Sequence, residues 1–423
     1  MSTTASPLST ESTHTPRRVA LASAIGTTIE WYDFYLYATA TALVFNQLFF
    51  PSISPTAGTL AAFATYAAGF GARPIGAVIS GHLGDRLGRK AVLIAALVTM
   101  GVATTAIGLL PTYATIGVWA PALLVVLRIV QGLAVEHAPE RRRGFFGSFT
   151  QLGSPAGMLL ATGSLFLVRV IAGDEAFLAW AWRLPFVASI VLVGVGLFIR
   201  LRIQDAPEFR ALRERGDVAR LPVVEVLRAA PRNVVLTTGL RLSQIALFVL
   251  LTTYGLTYIA GELGKASSAG LLAVVITSAL GLATTPLWAI LSDRIGRRTP
   301  YLVGSIGGTI TLALFFLAVG TGSTTLIVLA MVLGINVTHD AMYGPQAAWF
   351  AELFSTRLRY SGASLGYGIG SVVAGGFAPL VAAALVGATG SFWLVVAFLA
   401  VLSVLTTGAA LLARETALEP LAP

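Results

Sequence analysis

The sequence predicts an all-α polytopic membrane protein: twelve transmembrane helices in two halves of six. Three observations predict it. Of the 423 residues, 56% are hydrophobic and only 11% charged, against roughly 25% charged in soluble domains. Apolar runs of about 20 residues recur along the whole length, each enough to cross a ~30 Å hydrocarbon core. One loop motif occurs twice, 208 residues apart (Asp85 to Asp293). The runs are continuous and lack the alternation of barrel strands.

Taken in order, the runs centre on residues 20–48, 57–80, 91–111, 117–135, 145–171, 180–199, 233–260, 268–290, 300–320, 324–350, 361–387 and 391–413. The opening MSTTASPLST is polar and uncharged, and the first run is too long and too acidic for the h-region of a cleaved signal. Basic residues sort by loop. The loops expected inside hold 22 Arg and Lys, from Arg17 and Arg18 to Arg414; those expected outside hold three, Arg169, Arg183 and Lys265. Arg73, Arg128 and Arg241 fall within spans. The positive-inside rule therefore puts both termini in the cytoplasm. The net charge of +9 belongs to topology and calls for no nucleic-acid partner. The longest polar stretch, IRLRIQDAPEFRALRERGDVARLPVVEVLRAAPRN, separates spans six and seven. It gives an N-terminal half (1–199), a cytoplasmic central loop (200–232) and a C-terminal half (233–423). Zero Cys excludes disulfides, thiolate metal sites and a Cys nucleophile. The absence of G-x-x-x-x-G-K-[ST] argues against ATP-driven transport. No nucleophile–base or metal spacing recurs within the spans, so an enzyme is not expected.

GHLGDRLGRK (81–90) follows span two, and AILSDRIGRR (289–298) follows span eight. The same motif in the same loop of each half indicates duplication, a common construction in transporters. Six plus six spans, a basic central loop and this motif resemble the major facilitator superfamily. IEWYDFYLY (29–37), GTLAAFATYAAGFGARPIGAVISGHLGDRLGRK (58–90), RIVQG (128–132) and RYSGASLGYG (359–368) resemble its metabolite:proton symporter family, and within it the shikimate-transporter type. The resemblance implies a multi-pass protein of the bacterial inner membrane that imports a small organic acid by alternating access. The proton gradient would be its energy source, with no cofactor. Substrate, protons and the lipid bilayer would be its partners, and a monomer is expected. A transporter of dicarboxylates, proline or betaine, an exporter or uniporter, and a transport-dead paralogue stay open. The resemblance also implies that Gly84, Asp85, Arg86, Gly88 and Arg89, with Asp293, Arg294, Gly296 and Arg297, latch the cytoplasmic side. It associates Arg128 with proton transfer and with the substrate cavity. GSPAG (153–157) lacks the Gly-Pro pair of an exporter motif.

The charges inside the spans carry the rest. A charge at the bilayer centre costs about 2.5–3.5 kcal/mol, so such residues face cavities or partners. Glu30 lies eleven residues beyond Val19, ~16 Å along a helix and near the midplane. Glu30, Asp33 and Tyr37 share one helix face. Two carboxylates so close cannot both ionise cheaply in a poorly solvated cavity, which suits a proton carrier. Neutralisation of each by a membrane arginine is the alternative. Arg128 and Gln131 on span four, and Arg241 and Gln244 on span seven, repeat one design. Arg241 suits a bidentate contact with a carboxylate, or a place at the inner gate. Asn336, His339, Asp340 and Tyr343 share a face of span ten, where the His–Asp pair can relay a proton or pack neutrally. Proton coupling is thus expected of Glu30, Asp33, Arg128, His339 and Asp340. Substrate contact is expected of Tyr37, Arg128, Gln131, Arg241, Gln244 and Asn336. Arg73, next to Pro74, is expected to serve structure.

Span four is anomalous. Pro121 opens it, and Glu136 arrives fifteen residues later, ~22 Å on. From Asp85 to Arg143 is 58 residues, but from Asp293 to Arg359 is 66. Roughly three turns are expected to be missing from this helix.

Overall fold

The computed structural model describes residues 16–87, 89–134, 145–202, 222–263, 267–355 and 358–417. Hydrocarbon offers backbone groups no hydrogen bonds, so apolar segments close their own as helices. Among the described residues there is no strand, and helices that abut end to end form twelve rods. Span one covers residues 16–49, span two Pro55–Leu87, span three Arg89–Leu109 and span four Trp119–Leu133. Span five covers 145–181, span six Arg183–Arg202, span seven 231–263 and span eight Ser267–Ile295. Span nine is Arg298–Gly320, span ten 324–352, span eleven 359–389 and span twelve Trp393–Leu412, and a short helix, Pro222–Ala229, precedes span seven. Eight of these helices are long and apolar enough to cross a membrane, and Trp119–Leu133 and Arg183–Ile199 are apolar but shorter.

The boundaries depart from the hydropathy pattern where polar residues are helical. Span two runs on through GHLGDRL to Leu87, and Pro74 sits inside it without ending it. Span five is broken at Gly173, whose φ of +82° is one that an L residue rarely adopts. Pro121 lies in the first turn of span four, where Trp119 starts the helix and a missing N–H costs nothing. The fifteen residues of that helix extend ~22 Å, as short as the sequence implies. Glu136 lies outside the described residues.

The duplication is visible in the packing. Span one packs on span five, two on four and three on six; seven packs on eleven, eight on ten and nine on twelve. Each pairing recurs six spans later. The halves meet where span five lies against span eight and span two against span eleven, contacts that the same symmetry exchanges. Small residues permit this approach. A Cβ added at Gly376 would stand 2.9 Å from Phe70 Cβ, and one at Gly281 would stand 3.1 Å from Pro155 Cβ. Wider π-helical turns interrupt span one at Thr41–Phe45 and span seven at Leu250–Tyr254, at nearly the offset of the loop motifs. Another, Leu333–His339, carries Asn336 and His339 in span ten. Such turns often mark functional positions.

Candidate functional site

In the N-terminal half, a small cavity opens among spans one to four. Glu30, Asp33, Phe34, Gly69, Arg73, Met100, Arg128, Gln131 and Gly132 line it. Span one supplies the acids, and the intimate contact of spans two and four supplies the arginines. At Gly69 an added Cβ would fall onto the Arg128 side chain. Asp33 is 2% exposed, and among the described residues neither of its carboxylate oxygens has a hydrogen-bond partner. Arg128, Glu30 and the Thr104 hydroxyl lie near enough to influence it. Among the described residues, Arg128 does not form the ion pair that would neutralise it. Its Nη1 donates instead to Gln131 Oε1 at 3.2 Å, and its guanidinium carbon lies 4.1 Å from the Tyr37 ring centre. Gln131 Nε2 donates to Thr104 Oγ1 on span three at 2.6 Å. Tyr37 is fully buried, with its hydroxyl 2.6 Å from Thr65 Oγ1. It supports Arg128 from behind and does not line the cavity.

The C-terminal half holds a continuous polar chain. Arg241, 1% exposed, donates from Nη1 to Gln244 Oε1 and to Gln346 Oε1, both at 2.5 Å, and from Nε to Ser371 Oγ at 3.2 Å. Its guanidinium also lies over the Tyr367 ring, 3.8 Å from the centre. Because Gln244 Oε1 accepts from Arg241, its Nε2 is the donor to His339 Nε2, 2.5 Å away. His339 is then left with its proton on Nδ1, donated to Asp340 Oδ1 at 2.9 Å. Asp340 Oδ2 accepts from Thr284 Oγ1, and from Asn336 Nδ2 at 3.4 Å. Asn336 Nδ2 also donates to the Thr277 carbonyl at 3.0 Å. His339 therefore pairs with Asp340 as expected, within one network. Arg241 and Gln244 meet that network, and among the described residues they do not line the N-half cavity. Tyr343 stacks on His339 at 5.3 Å, and its carbonyl accepts from Gln151 Nε2 of span five at 3.0 Å. Phe248 bridges the halves, 4.9 Å from the His339 ring and 5.5 Å from Tyr35.

The loop motif is described in its second copy. Gly84, Asp85, Arg86, Gly88 and Arg89 of the first fall outside the described residues and side chains. Gly296 turns with φ +91° and presents two successive backbone N–H groups, an anion-binding concavity. Glu415 fills it, accepting from Arg297 N at 2.8 Å and Arg298 N at 2.9 Å. The Arg297 side chain bonds Asp293 Oδ1 at 2.5 Å and Glu352 Oε1, at the end of span ten, at 3.0 Å. Burial opposes its charge, but Glu352 and Asp293 outweigh that and raise its pKa above the ordinary arginine value. Thr416 Oγ1 donates to Glu352 Oε2 at 2.6 Å, and Trp349 Nε1 to the Arg414 carbonyl at 2.9 Å. Arg294 is exposed and stands outside this cluster.

Sequence reasoning missed Thr104, Thr284, Gln346, Ser371, Glu352 and Glu415. Gln346 continues the polar face of span ten three residues beyond Tyr343, which is a usable signal. The hydroxyls give none, since Ser and Thr commonly bond their own helix.

The sequence profile of the Major Facilitator Superfamily matches residues 23–359 and, again, 236–421. The shikimate transporter of Escherichia coli (strain K12) is 42% identical over 384 residues, covering 88% of each chain. An inner membrane metabolite transport protein of the same organism is 38% identical over 442 residues, 98% of this chain and 99% of that one. That alignment is longer than this chain, so this chain lacks residues that the relative has. The crystal structure of a D-xylose-proton symporter matches with a TM-score of 0.72 at 19% identity, over 96% of this chain and 98% of that one. It shares the fold.

Proposed function

The chain belongs to the major facilitator superfamily, among its metabolite:proton symporters, as a multi-pass membrane transporter and not an enzyme, and from that premise we propose that it imports a small organic acid together with protons. Shikimate is the first compound to test. The observation that carries the reading is Asp33. A buried ionised carboxylate without hydrogen bonds costs several kcal/mol. A proton, or a donor group of the substrate, relieves that cost. With Glu30 beside it, Asp33 is the proton carrier of this half, and Arg128 with Gln131 forms the adjoining wall.

The polar chain of the other half supports a relay. A proton arriving at His339 Nε2 would face the N–H of Gln244, donor against donor. Gln244 must then turn, which breaks its bond to Arg241. Protonation at His339 is thereby coupled to the position of a buried arginine shared by spans seven, ten and eleven. The cluster of Asp293, Arg297, Glu352 and Glu415 holds the inner ends of spans eight, nine and ten together, and the first motif copy, with Asp85 and Arg89, is assigned the matching latch. The distribution of basic residues supports both termini in the cytoplasm. The chain divides into halves at 1–199 and 233–423 around a loop at 200–232, works as a monomer and needs no cofactor.

Uptake of labelled shikimate, a dicarboxylate and betaine into vesicles, with and without an inward proton gradient, tests this. Gradient-dependent accumulation of one acid is expected. Uptake indifferent to the gradient would remove symport. The short span four favours a second reading, a paralogue that does not transport. No uptake by this chain, with uptake restored by inserting roughly three turns behind Val135, would establish it.

A further inference from the structure

We propose that Arg73 is the cation that receives the substrate carboxylate, an assignment that rests on the organic-acid reading above. Arg73, Arg128 and Arg241 are the arginines that fall within the apolar runs of the sequence, and the geometry separates them. Arg241 is fully buried, with Nη1 and Nε bonded to two glutamines and a serine. Arg128, 4% exposed, is bonded to Gln131 and roofed by Tyr37. Arg73 is half-buried on the cavity wall and makes no hydrogen bond or ion pair among the described residues. Two rings hold it, Phe34 at 4.7 Å and Phe70 at 4.9 Å from the guanidinium carbon. Aromatic faces fix a guanidinium by cation–π attraction and leave its five in-plane N–H donors unspent. That is the geometry a planar carboxylate matches bidentately.

The charges of the cavity agree. Glu30 and Asp33 line the cavity together with Arg73 and Arg128, so these four lining charges sum to zero when both acids are ionised. Loading one proton leaves them one positive charge in excess, which one carboxylate restores. Proton and monocarboxylate then enter as a pair. Binding is also tied to the seam between the halves. Phe70, one of the two clamping rings, packs against Gly375 and Gly376 of span eleven. A carboxylate that draws Arg73 forward therefore acts on the residue that spans two and eleven share.

The test compares wild type with Arg73→Gln and Arg73→Lys in proteoliposomes, using shikimate and its uncharged methyl ester as probes. KM is read from uptake, and Kd from tryptophan fluorescence quenching. For shikimate, Arg73→Gln is expected to raise KM and Kd at least tenfold, equivalent to about 1.4 kcal/mol. Kd for the ester should be the same in both proteins, and Arg73→Lys should recover part of the acid's affinity, as a charge without the fork. Unchanged values for the acid in Arg73→Gln overturn the assignment, as does an equal loss for acid and ester. If wild type binds shikimate without moving it, the transport reading falls while the Kd comparison still decides Arg73. If wild type binds neither shikimate nor any other carboxylate, both fall.

Discussion

Asp33 and Arg73 show how differently two charges in one cavity can be read. An acid in an apolar run stands out, and Glu30, Asp33, Arg128 and His339 were all legible as charged or titratable residues in the wrong solvent. Arg73 was as visible, but its use depends on which neighbours spend its donors, and aromatic clamping leaves no mark in the sequence. The uncharged partners Thr104, Thr284 and Ser371 were illegible for a related reason. A hydroxyl in a helix ordinarily bonds the preceding turn, and only tertiary structure turns it elsewhere. At this scale the sharpest expectation concerns Asp33→Asn, which keeps the shape and removes the acid. Accumulation driven by a proton gradient should be lost, while exchange of labelled for unlabelled substrate without a gradient persists. Full gradient-driven uptake by the variant would take the proton from Asp33.

Among the elements, spans two and four approach closely. A Cβ at Gly76 would lie 2.7 Å from Leu133 Cα, and one at Gly132 would lie 2.8 Å from Ala72 Cβ. Gly76→Val should force the helices apart at a cost of about 1–3 kcal/mol, seen as a lower thermal midpoint in detergent with uptake reduced in parallel. A variant that melts as wild type would show that the contact yields freely. The tail beyond span twelve makes a second element-scale prediction. Partial burial works to raise the pKa of Glu415, but backbone N–H groups of Arg298, Arg297, Ala417 and Thr416 together hold it below the ordinary 4.5. A folded-state value below the unfolded one gives stabilisation that is complete above the unfolded value and lost as pH falls through the folded one. Proteolysis at residues 413–417 should therefore be slow at neutral pH and accelerate below about 4.5. Glu415→Gln should be cut quickly at neutral pH as well. Equal rates for the variant and wild type at neutral pH would dismiss the clasp. The short span four was readable from residue counts, whereas this tail contact joins residues too distant in sequence for any local pattern to reveal.

At the scale of the molecule, hydropathy located the spans and the repeated loop motif disclosed the duplication. The choice of neighbours was not readable, because apolar surfaces attract without direction and small residues fit many partners. Contacts between spans two and eleven and between five and eight came only with the fold. The first of these extends to the end remote from the loop motifs. There a Cβ at Gly387 would stand 2.6 Å from Thr56 Cγ2, which brings the two Cβ atoms near the ~3.5–4.5 Å of a disulfide. In a chain without cysteine, the pair Thr56→Cys and Gly387→Cys should cross-link on oxidation, stop uptake, and recover with reductant. Transport by the fully cross-linked protein would mean that these ends need not part. The clasp at Gly296 has a consequence in time. Glu415 lies 118 residues after Arg297, so spans nine to twelve are all synthesised before it arrives. A long sequence separation of this kind delays a contact until late in folding. A chain cut or stalled ahead of residue 415 therefore carries a bundle whose Gly296 turn lacks the Glu415 clasp and keeps only the contacts of Arg297 with Asp293 and Glu352.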